Sequence, residues 1–254
     1  MSTEINELKA ALEKMREPLK EACSTALTNS HLNLENQNIT YKELEDVVIP
    51  FVKLYKVQDL NLRHNHLDAD SARLIARKLI KRNSFLITLD LGHNQLGEEG
   101  ARSIAFALKK NFVLKRLKLW HNEVGAVGAY WLAEALKVNA TLSTLDLWNN
   151  GVGVEGANAM KEALSVNHSL KKLELGNSYR GESVDDYLSV TPLDKDPEIK
   201  GYLKRNIKAA KTLQDVSRTL VLYGYLDMKQ KTKMAKVVSA VSKKIVPKNR
   251  CAIQ

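Results

Sequence analysis

A chain of 254 residues with 44% hydrophobic and 27% charged residues has the composition of a folded globular protein, which excludes a disordered one, and is long enough for one large or two modest domains. Its net charge of +10 is uneven: residues 195–254 carry 15 Lys and Arg against four acids (Asp196, Glu198, Asp215 and Asp227), leaving 24 bases and 25 acids upstream. Two cysteines 228 positions apart, Cys23 and Cys251, exclude a disulfide-stapled small domain and a clustered-thiolate zinc site, and point to a reducing compartment.

The first twenty residues are too charged to be a secretory leader, so secretion by that route is not expected. Ile5, Leu8, Leu12, Met15 and Leu19 recur at helical steps, predicting an amphipathic helix that restarts at Pro18 and forms an N-terminal cap over residues 1–29. The longest apolar runs, Val47–Val52 and Leu220–Leu226, fall far short of the ~20 residues that span a bilayer, so no membrane-crossing segment is expected.

From residue 30 the chain repeats. Leu-x-Leu-x-x-Asn-x-(Leu/Val) stands at Leu60-Leu62-Asn65-Leu67, Leu89-Leu91-Asn94-Leu96, Leu117-Leu119-Asn122-Val124 and Leu145-Leu147-Asn150-Val152, with spacings of 29, 28 and 28. Degenerate copies flank these at Leu32-Leu34-Gln37-Ile39 and at Leu173-Leu175, where Ser178 stands in the Asn position. Six turns over residues 30–190, the outer two imperfect, are what a stacked solenoid requires.

Leucines two apart share one side of a short strand, so the strands are expected to stack as a parallel sheet with leucines inward. A buried Asn after each strand must satisfy its amide, which predicts a structural ladder of Asn65, Asn94, Asn122 and Asn150. The second half of each unit has helical spacing, as in Ala101-Ile104-Ala105-Leu108 and Ala129-Leu132-Ala133-Leu136, with alanines permitting close approach to the strands. Asn83, Asn111, Asn139 and Asn167 recur at helix ends and are expected to take the left-handed cap conformation. Thr40-x-x-Glu43 has the form of a capping box, and Glu98, Glu99 and Glu155 place negative charge at helix starts.

This pattern resembles the leucine-rich repeat family in its 28/29-residue class, that of ribonuclease inhibitor, the segment from Leu96 to Asn111 matching nearly throughout. The resemblance implies an α/β fold: a right-handed solenoid with a parallel concave sheet, convex helices and helical caps at both ends. It implies protein recognition rather than a particular partner. It also raises a GTPase-activating alternative by analogy with the Ran-activating protein, although this chain has fewer repeats and lacks a long acidic C-terminal region. Asp194 and Pro197 mark the start of a helical C-terminal cap over residues 191–228, with apolar positions at Ile199, Leu203, Ile207, Leu213, Val216 and Leu220.

Stacked strands bring equivalent exposed residues into columns: Asn61, Asp90, Lys118, Asp146, Glu174; Arg63, Gly92, Trp120, Trp148, Gly176; and His64, His93, His121, Asn149, Asn177. Trp120 and Trp148 are therefore expected to be direct neighbours. Arg63, His64, Asp90, His93, Lys118, Trp120, His121, Asp146 and Trp148 are the candidate partner-binding residues, since large rings beside charges anchor protein interfaces; the alternative is that the tryptophans only brace the sheet. Three histidines in a straight column lack the converging directions and carboxylate support of a metal site, so no metal and no cofactor are expected, the column serving instead as a pH-tunable polar surface. No phosphate loop, His-Glu-x-x-His, nucleophile elbow or Cys-x-x-Cys occurs, and no enzyme activity is expected.

Residues 229–254 form a basic tail. The chain ends Cys251-Ala252-Ile253-Gln254, which fits the prenyltransferase recognition pattern, Gln favouring farnesyl on the Cys251 sulfur. Lys229, Lys231, Lys233, Lys236, Lys243, Lys244, Lys248 and Arg250 precede it with no acid after Asp227, and they supply the attraction to an anionic leaflet that one lipid chain alone lacks. With no aromatic after Tyr225, specific nucleic-acid binding is not expected. The sequence therefore predicts a non-enzymatic adaptor held on the cytosolic face of a membrane by a farnesylated basic tail, in a eukaryote or as a bacterial effector modified by the host. An unmodified soluble adaptor is the alternative.

Overall fold

In a computed structural model of the chain, the structure describes residues 16–81, 85–175 and 197–222. Two compact units divide it at residues 203 and 204, and the repeats belong to the first. Helix α1, Glu17–Asn29, starts with Pro18 in its first turn and buries Leu19, Cys23 and Ala26. Then follow strand β1 His31–Asn33, helix α2 Tyr41–Glu43, a π-helical turn Leu44–Val48, helix α3 Ile49–Leu54, β2 Asp59–Asn61, α4 Ala69–Ile75 with a second π-helical turn Ala76–Ile80, and β3 Thr88–Asp90. The remaining repeats are α5 Gly97–Leu108, β4 Arg116–Lys118, α6 Gly125–Leu136, β5 Thr144–Asp146, α7 Gly153–Val166 and β6 Lys172–Glu174; α8 runs Pro197–Leu222. The first π-helical turn precedes Pro50, which has no N–H to give an α-helical bond.

The six strands lie in sequence order, all parallel, in one open sheet. Leu32, Leu60, Leu89, Leu117, Leu145 and Leu173 are in register and buried, as are Leu34, Leu62, Leu91, Leu119, Leu147 and Leu175 two residues on. Each such leucine contributes about 1.5–3 kcal/mol by leaving water. The helices close the core from the convex side, where Gly100, Gly128 and Gly156 sit against Ala72, Ala101 and Ala129 of the preceding unit; an added Cβ would lie 3.0 Å from each alanine methyl. The architecture is an α/β leucine-rich repeat solenoid.

Two ladders of buried asparagine tie the units together. Asn122 donates from Nδ2 to the carbonyls of Leu91 in the preceding unit (2.8 Å) and Leu119 in its own (3.0 Å), while its Oδ1 accepts from Leu96 N–H (3.3 Å). Asn94 and Asn150 repeat the donation to the preceding unit at Leu62 and Leu119, and Asn65 does so at Leu34. The second ladder corrects an expectation. Asn111 and Asn139 are not left-handed, and Asn167 is extended (φ −82°, ψ 132°). All three are buried. Asn139 and Asn167 donate from Nδ2 to the last carbonyls of α5 and α6, Leu108 and Leu136, each at 2.8 Å, while their Oδ1 atoms accept from the two N–H groups that open the next strand approach. Their role is to cap the preceding helix from outside. Asn83 lies outside the described residues.

Helix starts divide by chemistry. The Thr40–Glu43 capping box is present in both directions. Asp68 caps α4, and the Ser71 N–H and hydroxyl hold its carboxyl below the usual range. Helices α5, α6 and α7 instead open on Gly97, Gly125 and Gly153 at φ near 65°, a left-handed turn that favours glycine.

Candidate functional site on the concave face

The concave face is built from the strand residues that point away from the core and the turn that leaves each strand. Its left-handed positions are His64, His93, His121 and Asn149, all with φ of 54–55°, so one backbone geometry recurs in four successive turns. His and Asn are among the few side chains that enter this region readily. The repeat stacks the imidazoles: His64 and His93 lie 4.0 Å apart between centroids and His93 and His121 4.3 Å, with interplanar angles of 27° and 29°. Burial, followed by the neighbouring His64 and His121, pushes His93 below the ordinary histidine range, which favours the neutral form of that ring. Among the described residues no group of three or more His, Cys, Asp and Glu is arranged to hold a metal ion.

Trp120 departs from the expected column. The backbones of Trp120 and Trp148 are adjacent, since the His121 N–H donates to the Trp148 carbonyl at 2.8 Å, but their rings do not pair. The Trp120 indole leans the other way, over Gly92, where an added Cβ would fall 2.0 Å from Nε1. There it meets the edges of His64 and His93 at 5.8 and 5.7 Å, and the Arg63 guanidinium sits 4.9 Å from its centroid. Arg63 is held from the far side by Glu35 at 3.5 Å. Absence of a side chain at Gly92 is what lets this cluster close.

Asp90 is withdrawn as well: it is buried, accepts from the Gly92 N–H at 3.0 Å and pairs with Lys118 Nζ at 3.0 Å. Asp146 occupies the same column two strands on; Lys118 stands between the two carboxylates and pairs with Asp90, and Asp146 takes part in no ion pair among the described residues. Burial and the flanking Glu174 raise its carboxyl above the usual range, against the Trp148 N–H that donates to it at 3.0 Å. Trp148 itself is 42% exposed and, among the described residues, pairs with no other ring. The site therefore has a closed half around Trp120 and an open half of Asp146, Trp148 and Glu174.

Sequence reasoning did not include Glu35 or the direction of Trp120; Gly92 was the available signal. Gly176, Asn177, Cys251 and the basic residues Lys229, Lys231, Lys233, Lys236, Lys243, Lys244, Lys248 and Arg250 lie outside the described residues. Among the described residues no helix is long and apolar enough to cross a membrane.

The family described as Leucine Rich repeat matches residues 82–105 and 138–161. No curated protein matches the chain. Among solved structures, the chain is similar to leiomodin-1 actin-binding site 2, with 19% identity over 80% of this chain and 96% of that one, at a TM-score of 0.43. It is also similar to the tropomodulin C-terminal domain of Caenorhabditis elegans, with 13% identity over 76% of this chain and 96% of that one, at a TM-score of 0.44.

Proposed function

We propose that the protein is a non-enzymatic recognition module whose concave face takes a protein partner at its open half. The exposed Trp148 beside Asp146, which takes part in no ion pair among the described residues, carries this reading. An aromatic face next to a carboxylate raised by burial and by Glu174 suits a cationic side chain, which would favour the charged form of Asp146 and bury the indole. The closed half presents Trp120 already packed, so it supports the site more than it anchors a partner.

The test is affinity capture from cytosol with wild type, Trp148→Ala and a convex-face control, Val127→Ala. A partner retained by the control and lost with Trp148→Ala supports the reading, provided a peptide from that partner containing Lys or Arg binds the purified protein. Equal recovery by all three rejects it.

The tail supplies the second element of the proposal: farnesylation at Cys251 by a host or endogenous prenyltransferase, with the eight basic residues holding the protein at an anionic cytosolic leaflet. Intact mass and membrane fractionation of wild type and Cys251→Ser in eukaryotic cells test it. A farnesyl mass and membrane pelleting confined to wild type support the tether, and unmodified soluble protein in both leaves the soluble adaptor.

A further inference from the structure

The turns at the two edges of the sheet differ in charge. Those leaving the strands carry or adjoin acids, as at Glu35, Asp68, Glu98, Glu123 and Glu155. Those entering the strands, at residues 30, 55–58, 81, 85–87, 109–115, 137–143 and 167–171, contain no acid themselves; the acids that adjoin them include Asp59, and Glu134 and Glu162, which pair with Lys137. This second edge also bears the two most exposed large apolar side chains among the described residues, Phe112 at 65% and Val138 at 62%, with Val166 at 48%. Lys110, Val138 and Val166 occupy equivalent positions 28 residues apart, as do Lys115, Ser143 and Lys171. None of Lys110, Lys115 and Lys171 takes part in an ion pair among the described residues.

The backbone sets these groups in line. Lys115 N–H donates to the Ile87 carbonyl at 2.9 Å, Ser143 N–H to Lys115 at 2.8 Å and Lys171 N–H to Ser143 at 2.8 Å, so the turns form a continuous hydrogen-bonded rail. We infer that this rim docks on an anionic lipid surface, with Phe112, Val138 and Val166 entering the headgroup region and Lys110, Lys115 and Lys171 meeting phosphates. Lys110, Lys115 and Lys171, in turns that contain no acid themselves and with no ion pair among the described residues, are complementary to an anionic layer. Isolated apolar tips along one edge of the sheet need no matching pocket in a bilayer, whereas a protein partner would have to supply one for each. Lysine stems beside such tips lie along the interface with their charges outward. The inference concerns the repeat body and does not rest on the tail.

Unprenylated full-length protein provides the test, since every variant then carries the same tail and differs only at the rim. Sedimentation with vesicles of phosphatidylcholine alone, or containing about 30% phosphatidylserine, at about 0.15 M salt compares wild type with F112S/V138S/V166S and with K110E/K115E/K171E. Each rim variant is expected to partition at least about tenfold less onto the anionic vesicles, with an unchanged melting temperature. Phe112→Trp is expected to add emission that brominated acyl chains quench in anionic vesicles only. Rim variants that partition like wild type, or a Trp at 112 that escapes quenching, overturn the inference. Wild type that ignores anionic vesicles while its rim variants lose an acidic protein ligand overturns the lipid as occupant. Membrane loss in cells with Cys251→Ser reads the tail separately, so the two readings fail independently.

Discussion

The two halves of the concave face are made from the same repeat and behave oppositely. Around Trp120 the side chains pack on one another: three imidazoles stack, the indole meets the edges of His64 and His93, and Arg63 and Glu35 close the far side. Around Trp148 no such ring cluster forms among the described residues, and Asp146 takes part in no ion pair like that of Asp90 with Lys118. The difference follows from two residues on the Trp120 side: Gly92, which leaves the space that seats the indole, and Lys118, which stands between Asp90 and Asp146 and pairs with Asp90. Identical column positions therefore give a self-contained cluster in one place and an accessible surface in the other.

The largest effect is expected from the frame beneath both halves. Asn122→Ala removes one of the two amide donors from each of the Leu91 and Leu119 carbonyls and takes the Oδ1 acceptor from the buried Leu96 N–H, and is expected to lower unfolding free energy by about 3 kcal/mol, measured by urea denaturation. Gly92→Val should turn the closed half into a copy of the open one by displacing the indole from its seat. A loss of about 1–2 kcal/mol and a red shift of tryptophan emission are expected; an unshifted spectrum would show that Trp120 does not depend on that space. Trp148→Ala is expected to change stability by less than about 0.5 kcal/mol while weakening partner binding at least about tenfold, read by calorimetry with the captured partner.

The smallest effect is in the stack. His93 binds a proton less readily in the folded chain than at its ordinary value of 6.5, so the unfolded chain holds more protons in acid and stability falls as pH drops below that value. His64, His121 and His66 are the titratable groups that face it. His93→Asn keeps a side chain suited to the left-handed backbone, as Asn149 does, and is expected to reduce the decline of the melting temperature between about pH 7.5 and 5. An unaltered decline would assign it to other groups. Cys23 offers a contrast with Cys251: burial pushes its thiol up to about 11, so in native protein it is expected to resist alkylation under conditions that modify an accessible thiol.

Periodicity made the fold legible because each leucine pair and each Asn after a strand must recur wherever neighbouring units meet. The Asn65, Asn94, Asn122 and Asn150 ladder has the form that burial of an amide requires. Asn111, Asn139 and Asn167 were visible at the same period, yet their role was misread. Asn at a helix end commonly adopts the left-handed cap, and only the proximity of the preceding helix's carbonyls shows that the side chain serves a different helix. Trp120 was misplaced because a column fixes where a Cβ sits and leaves the direction of a long side chain to the space around it. Asp90 looked exposed for the same reason, since Lys118 covers it only once the strands are in register.

The glycine and alanine contacts on the convex side have a geometric consequence. Strands are held at the fixed spacing of a parallel sheet, ~4.8 Å, so the bend of the stack depends on how far apart successive helices stand. Gly100 against Ala72, Gly128 against Ala101 and Gly156 against Ala129 act as thin spacers that hold that separation near its minimum. Thicker side chains there would spread the outer wall and tighten the arc, drawing Arg63 and Glu174 toward each other. The width of the groove offered to a partner is thus set by six small residues, none of which faces it.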